Sequence, residues 1–274
     1  LKRMGELRYS TDDDGDWIRI VRSKHTRAGE LGFTNHTTNI QIGYDKREVK
    51  ENGSWRKGIA LSRAEGTSSY NKGEGENSNN SLALYGTWLG DKSHYLDLVL
   101  KGSRLHNDYT TYGEFADKGL SKNWAASVSA EYGRKKKIND ANWYIEPQAQ
   151  LTLGYLGGDS YQTSNGITVQ QGGINSVVGR VGFNLGREIG NQANIYVKAN
   201  LLHEFGGGYD VTMADSGGNR FKAADAFNDT WFEYGIGAAL KTGSNSHIYI
   251  DVERSSGSDF KKDWQWNAGA RWTF

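Results

Sequence analysis

From Asp263 to the end, the chain alternates without a break. Trp264, Trp266, Ala268, Ala270, Trp272 and Phe274 share one parity, and Gln265, Asn267, Gly269, Arg271 and Thr273 share the other. A period of two marks a β-strand with one apolar and one polar face. Comparable segments are WIRIVR (17–22), NIQIGYDK (39–46), SWRKGIALSR (54–63), SLALYGTWL (81–89) and HYLDLVLKGSR (94–104). NWAASVSAEYG (123–133), WYIEPQAQLTLGYL (143–156), SVVGRVGFNLGRE (176–188) and NIYVKANLLHEF (194–205) continue the series. TWFEYGIGAALK (230–241), HIYIDVER (247–254) and the terminal stretch bring it to twelve, with no convincing helix among them.

The connections between these segments run 16, 7, 17, 4, 18, 9, 19, 5, 24, 5 and 8 residues, so long and short alternate. A soluble sandwich has no reason to keep its short turns at one end. Outer-membrane barrels do, with short periplasmic turns and longer external loops. Polar residues lie in mid-strand almost everywhere, flanked by bulky apolar ones. In lipid, only a closed barrel satisfies every backbone N–H and C=O, and its lumen can hold charge. The pattern therefore predicts an all-β, antiparallel, twelve-stranded transmembrane barrel. Parity assigns Arg19, Asp97, Glu131, Glu146, Gln148, Gln150, Arg180, Asn184, Lys198, Glu233 and Arg271 to the pore lining, with Asp251 and Glu253 as further lumenal acids. Pro147 is the one irregularity: it cannot donate to a ladder, so a bulge or one lost hydrogen bond is expected there.

Composition narrows the classes. The 274 residues carry 36 Gly, 9 Trp and 15 Tyr against one Pro, which suits long paired strands and excludes disorder. With no cysteine, disulfide and thiolate chemistry are excluded. The net charge of +1 implies no nucleic-acid partner, and no apolar run reaches the length of a transmembrane helix. The opening LKRMGELR has neither an initiating Met nor an apolar leader, and reads as the start of a mature fragment or an excised piece.

Residues 1–16 do not alternate. LKRMGELR consists mostly of helix formers, with Lys2 and Glu6 spaced for a weak ion pair, and DDDGD (12–16) reads as a polar turn. The two readings are a frayed terminus and an α-helical linker inside the pore, polar all round like its surroundings. A helix is about 10–12 Å wide, which a barrel of intermediate size can admit. Crossing an apolar band of about 25 Å needs about 17 helical residues, more than this segment offers, so more chain is expected upstream. The expected division is thus 1–16 and 17–274.

LKRMGELR with its acidic turn and Trp17-Ile18-Arg19, IQIGYDK (40–46), WYIEPQAQL (143–151), VGRVGFNLG (178–186), WFEYGIGAAL (231–240) and the terminal WNAGARWTF fall in a telling order. In that order the chain resembles the C-terminal translocator domain of a type V autotransporter. The resemblance implies a barrel in the Gram-negative outer membrane with its C-terminus periplasmic and its long loops extracellular. Lys2, Arg3, Glu6 and Arg8 would belong to the pore helix, leading to the protein's own N-terminal passenger, which crosses to the cell surface. The barrel-assembly machinery would read Trp272 and Phe274 as its signal. Outer-membrane lipid and lipopolysaccharide are the expected surroundings, the expected state is a monomer, and no cofactor or metal is expected. Some family members cut their linker at an Asn in the helix using lumenal acids. Here Asn79-Asn80 falls in an expected external loop, so the acids are read as partners of Arg19, Arg180, Lys198, Arg271 and the linker's bases.

The rivals are a barrel enzyme and a passive porin. A phospholipase barrel would use a Ser–His pair on its outer surface, and a protease barrel Asp and His near the external rim. Of the six histidines, His25, His36 and His106 fall in expected external loops, while His94 and His247 fall beside expected periplasmic turns. Together with His203, they form no such motif. The segment 206–229 is expected to be a mobile external loop, and RKKKIND (134–140) a solvated periplasmic turn.

Overall fold

The computed structural model describes residues 14–29 and 32–274. Of the expected linker segment 1–16, residues 1–13, which include the helix residues Lys2, Arg3, Glu6 and Arg8, lie outside the described residues. Its strands are β1 (Gly15–Arg27), β2 (Phe33–Lys50), β3 (Gly53–Tyr70), β4 (Gly73–Gly90), β5 (His94–Thr111) and β6 (Asp117–Arg134). They continue as β7 (Lys136–Lys137), β8 (Trp143–Leu156), β9 (Asp159–Gln162), β10 (Thr168–Gln171), β11 (Ile174–Ile189) and β12 (Ala193–Glu204). The last are β13 (Gly207–Ala214), β14 (Arg220–Phe227), β15 (Thr230–Lys241), β16 (Ser246–Ser256) and β17 (Phe260–Thr273).

Twelve of these close into one antiparallel barrel. The order runs β11-β12-β15-β16-β17-β1-β2-β3-β4-β5-β6-β8, and β8 pairs back to β11. The terminal alternating stretch is the closing strand: Gly15 stands opposite Thr273 and Arg27 opposite Phe260. Both ends of the barrel sheet therefore lie at one rim, here called the terminal rim. Closure leaves no edge of unpaired backbone, which a lipid environment requires.

Two features depart from expectation. The stretches 64–80 and 105–122 are not loops: β3 and β4 run to a two-residue turn at 71–72 and pair over their whole length. Asn79 and Asn80 are strand residues, and His25, His36 and His106 lie within β1, β2 and β5. The reason is physical. Beyond the lipid both faces of a strand are wet, so RAEGTSS and GEGENSNN carry no apolar parity although their backbones still pair. The segment 206–229 likewise contains β13 and β14, which join β10 and β9 in a separate four-stranded sheet.

The core is inverted. Tyr95, Asp45 and Arg271 are fully buried on the inner face, while Leu84, Ile236 and Trp124 are more than half exposed on the outer one. On β17, Trp264 and Trp272 are eight residues apart on the outer face. At 3.4 Å per residue and a tilt of about 40°, that is about 21 Å of height, near the about 25 Å of an outer-membrane apolar band. Trp55 packs on Trp88 at 5.5 Å near the terminal rim, part of one aromatic boundary.

Inner aromatics lie against glycines directly opposite them. Tyr95 faces Gly133, Trp17 faces Gly43 and Tyr249 faces Gly269. A Cβ at Gly43 would stand 2.4 Å from the Trp17 ring, so close approach accounts for these glycines. Pro147 sits where the β6 ladder stops at Gly133–Gln148 and resumes at Lys136–Ile145. The pairing to β11 runs through it at Phe183, so the expected defect is confined to one side.

Candidate functional site

The inner face carries three clusters of hydrogen-bonded charge. The first lies near the terminal rim, where parity turns Trp17 (β1), Asp45 (β2), Arg56 (β3), Tyr85 (β4) and Arg271 (β17) inward. Arg271 donates to Asp45 from Nη2 to Oδ1 at 2.8 Å and from Nη1 to Oδ2 at 3.1 Å. Arg56 Nη1 donates to the same Oδ1 at 3.0 Å. Trp17 Nε1 donates to Tyr85 Oη, which donates to Asp45 Oδ2, each at 2.6 Å. Arg271, Arg56 and Tyr85 thus meet on the Asp45 carboxylate, and Trp17 joins through Tyr85, so the network links five strands across the β17–β1 seam. Arg19 stacks 5.5 Å from the Trp17 ring and 5.9 Å from that of Tyr249.

The second cluster centres on Arg180 of β11. Its Nη2 lies 2.9 Å from Glu131, Nε donates to Gln150 at 2.8 Å, and Nη1 donates to Gln148 and Asn200 at 3.0 and 2.6 Å. Tyr95 donates to Glu131 at 2.7 Å, and Gln148 and Asn184 donate to Glu146 at 2.6 and 3.4 Å. In the third, Lys198 of β12 meets Asp251 at 2.7 Å and Glu253 at 2.9 Å. Lys262 joins Glu253 at 2.6 Å and Glu233 at 3.1 Å. Asp97 is buried on the inner face of β5.

These clusters place Asp45, Arg56, Tyr85, Tyr95 and Lys262 beside the residues picked from sequence. The first four lie inside the alternating segments and share the inward parity of their strands. Lys262 does not, because β17 has a bulge: Lys24 pairs with Trp264 but His25 with Lys262, and Asp263 is the extra residue. The bulge reverses parity and swings Lys262 inward.

Chemically, the arrangement is a set of mutually neutralised ions. Buried ions persist when paired and fully hydrogen-bonded. Among the described residues, no group of three His, Cys, Asp or Glu side chains could hold a metal ion. His36 and His106 line one pocket of the outer wall with Glu65, Glu76 and Asp108, and the other histidines lie elsewhere. His25 stacks on Phe260 at 5.3 Å, His36 lies 6.4 Å from Trp264, and His203 bonds Thr230 Oγ1 at 2.7 Å.

At the terminal rim, Asp14 links the entering chain to both neighbouring strands. Its carbonyl accepts from the Phe274 N–H at 3.1 Å and its Oδ1 from the Arg47 N–H at 2.8 Å. Trp272 and Phe274 point outward, Phe274 being 76% exposed. Within RKKKIND, Lys135 is ion-paired with Glu188, so this turn is tied to the base of β11.

An apolar outer belt, a closed ladder and an ion-paired lumen define a transmembrane β-barrel of the outer-membrane class. Residues 17–253 match the model of the family described as "Autotransporter beta-domain". The chain belongs to that family of outer-membrane translocator domains for passenger secretion, which reside in the Gram-negative outer membrane. It is 31% identical over its whole length to the pertactin autotransporter of Bordetella parapertussis (strain 12822), of which it spans 30%. It is 27% identical to the serine protease EspC of Escherichia coli O127:H6, of which it spans 21%. The chain therefore spans less than a third of the length of these relatives. In fold it resembles the transport unit of AIDA-I from Escherichia coli, with a TM-score of 0.82 and 17% identity, covering 100% of this chain and 93% of that one. The β-domain of the Bordetella autotransporter BrkA gives 0.78 and 23%, with 96% and 100% covered.

Proposed function

We propose that the barrel stands with its terminal rim in the periplasm and its far hairpins outside the cell, and that the protein's own N-terminal passenger passes outward through the lumen. In this reading residues 1–16, with Lys2, Arg3, Glu6 and Arg8, are the linker between the two. Arg19, Asp97, Glu146 and the clusters on Asp45, Arg180 and Lys198 give the passage its polar lining. The observation that carries the reading is the anchoring of Asp14 at the terminal rim. Chain preceding Asp14 starts at that mouth, and a passenger displayed beyond the far rim has the polar lumen as its route.

Trp272 and Phe274 serve as the signal read by the barrel-assembly machinery, and Phe274 doubles as the seam's backbone latch on Asp14. The barrel works as a monomer, because its sheet closes on itself. Its lumen transports and does not catalyse.

The test is an epitope-tagged passenger fused upstream of Leu1 and expressed in a Gram-negative host. Protease added to intact cells is expected to remove the tag while barrels stay folded. A tag that is protected in intact cells, but cleaved after the outer membrane is opened, would overturn the reading.

A further inference from the structure

We propose that the outer wall of β3–β6 carries a binding site for a lipid bearing both phosphate and several acyl chains, the chemistry of the lipid A part of lipopolysaccharide. The site lies outside the lumen. It rests on the orientation proposed above only in that its upper lip then lies level with the outer leaflet.

Successive cross-strand partners form a row around the wall: Ile40 opposite Arg63, Arg63 opposite Asn80, Asn80 opposite Arg104, and Arg104 opposite Trp124. All five share the outward parity of their strands. The row beneath is Ile42, Leu61, Leu82, Gly102 and Ala126, each again opposite the next. That lower row is apolar, and it has a gap. Nothing stands within 4 Å of where a Cβ of Gly102 would be. The result is a groove of about 830 Å³ with an aliphatic floor and a lip of Arg63, Asn80, Arg104 and Trp124.

The lip suits a phosphate. Arg63 and Arg104 are two strands apart, about 9.5 Å at the backbone, so their long side chains can close on one anion seated over Asn80. Arg63 Nε is held by Glu65 at 2.8 Å, and its Nη1 donates to Asn80 Oδ1 at 3.1 Å. The Asn80 amide then keeps its N–H donors for a ligand. Arg104 lies 5.2 Å over the Trp124 ring. A cation–π contact takes up no N–H donor of the guanidinium by hydrogen bonding, so its N–H groups can still reach an anion.

The surrounding outward charges agree. One row higher stand Arg22, Glu65, His36's neighbour Thr38, His106 and Lys122, so Glu65 is the acid nearest the lip and is already taken by Arg63. Glu76 and Asp108 stand two rows above Asn80 and Arg104, about 13 Å along the strands. The remote wall is different in kind: Tyr155, Phe205, Phe232 and Tyr234 face outward there, with Arg254. The cationic lip above a recessed floor is thus a local feature of one side, and it matches an amphiphile whose phosphate sits directly above its acyl chains.

The full chain, folded in a zwitterionic detergent, is titrated with phosphorylated lipid A and followed by Trp fluorescence and native mass spectrometry. Lipid A is expected to bind, and the Arg63→Gln/Arg104→Gln double variant to lose about tenfold or more in affinity. Gly102→Phe, which fills the recess, is expected to weaken binding with both arginines intact. Heat-modifiability on gels confirms that each variant is folded. Equal binding by wild type and the double variant overturns the site. So does equal affinity for dephosphorylated lipid A, for phosphatidylglycerol or for inorganic phosphate. This titration is blind to orientation. An inverted barrel would fail the protease test yet still bind, and a correctly oriented barrel without the site would pass that test and fail here.

Discussion

Arg271 and Arg104 belong to the same barrel and face opposite ways. Arg271 is fully buried, with both terminal nitrogens on Asp45. Arg104 is exposed and its guanidinium carbon lies 5.2 Å from the centre of the Trp124 ring. What differs is who supplies the counter-charge. Arg271 and Asp45 are shielded from water, so the protein must provide the carboxylate itself from another strand. The outer wall can leave a cation on an aromatic ring and take its partner from the surroundings. Inside the barrel, then, charge contributes to closure of the fold. Outside, at the boundary, it contributes little to folding and remains available for binding.

The largest expected effect tests the inner half of that contrast. Asp45→Ala removes the carboxylate shared by Arg56 and Arg271 and accepted by Tyr85, leaving two buried guanidiniums with a missing counter-charge. A loss of about 3–5 kcal/mol is expected from breaking a buried ion pair in this way. Arg104→Ala on the outer wall is expected to stay within about 1 kcal/mol of wild type. Urea unfolding of barrels in lipid vesicles, read by Trp fluorescence, measures both. Similar losses for the two variants would erase the distinction between the walls.

A smaller effect compares two glycines on the two faces of the same hairpin. A Cβ at Gly133 would lie 2.5 Å from the Tyr95 Oη, which is fully buried and bonded to Glu131 at 2.7 Å. Gly133→Ala is expected to cost about 1–3 kcal/mol by overpacking, because the ring cannot retreat without giving up that bond. Gly102→Ala meets open space and is expected to be neutral or slightly stabilising, since alanine orders a strand more easily than glycine. The same vesicle unfolding assay separates them. Equal tolerance of both alanines would show that the inner aromatics are not seated on their glycines as closely as the geometry states.

The contrast also marks what can be read from sequence. Within the lipid band one face must be apolar and the other can hold charge, so parity separates Leu151 from Gln150 and Val181 from Arg180. That is why twelve strands and their closure are visible without coordinates. Above the band the constraint vanishes, and the long walls of β3, β4 and β5 read as loops although their backbones are fully paired. Lys262 escapes for another reason: a single extra residue at Asp263 reverses parity, and nothing in WQW or KKD signals it. Asp45 lay in plain view in IQIGYDK. Its meaning depends on Arg56, Tyr85 and Arg271 meeting it from strands up to 226 positions away, which alternation alone cannot pair.

The smallest effect lies beyond both walls, in water, at the tip of the β13–β14 hairpin. Asp215 accepts from the Asn219 side chain at 2.8 Å and from its backbone N–H at 2.9 Å. These bonds, the side-chain one foremost, hold its carboxyl below the ordinary value of 3.8. A depressed folded-state value means the ionised carboxylate favours the closed tip. That contribution is complete above about pH 4 and is lost as pH falls through the lowered value. Full exposure keeps it small, so the barrel's unfolding should not register it. Amide exchange at Asn219 should, with protection level down to about pH 4 and fading below. Asn219→Ala is expected to move that fade toward higher pH, while exchange along β17 beside the Asp45 cluster stays unchanged. A tip that opened and a seam that loosened at the same pH would mean the two are coupled, and that the far hairpins share the fate of the barrel beneath them.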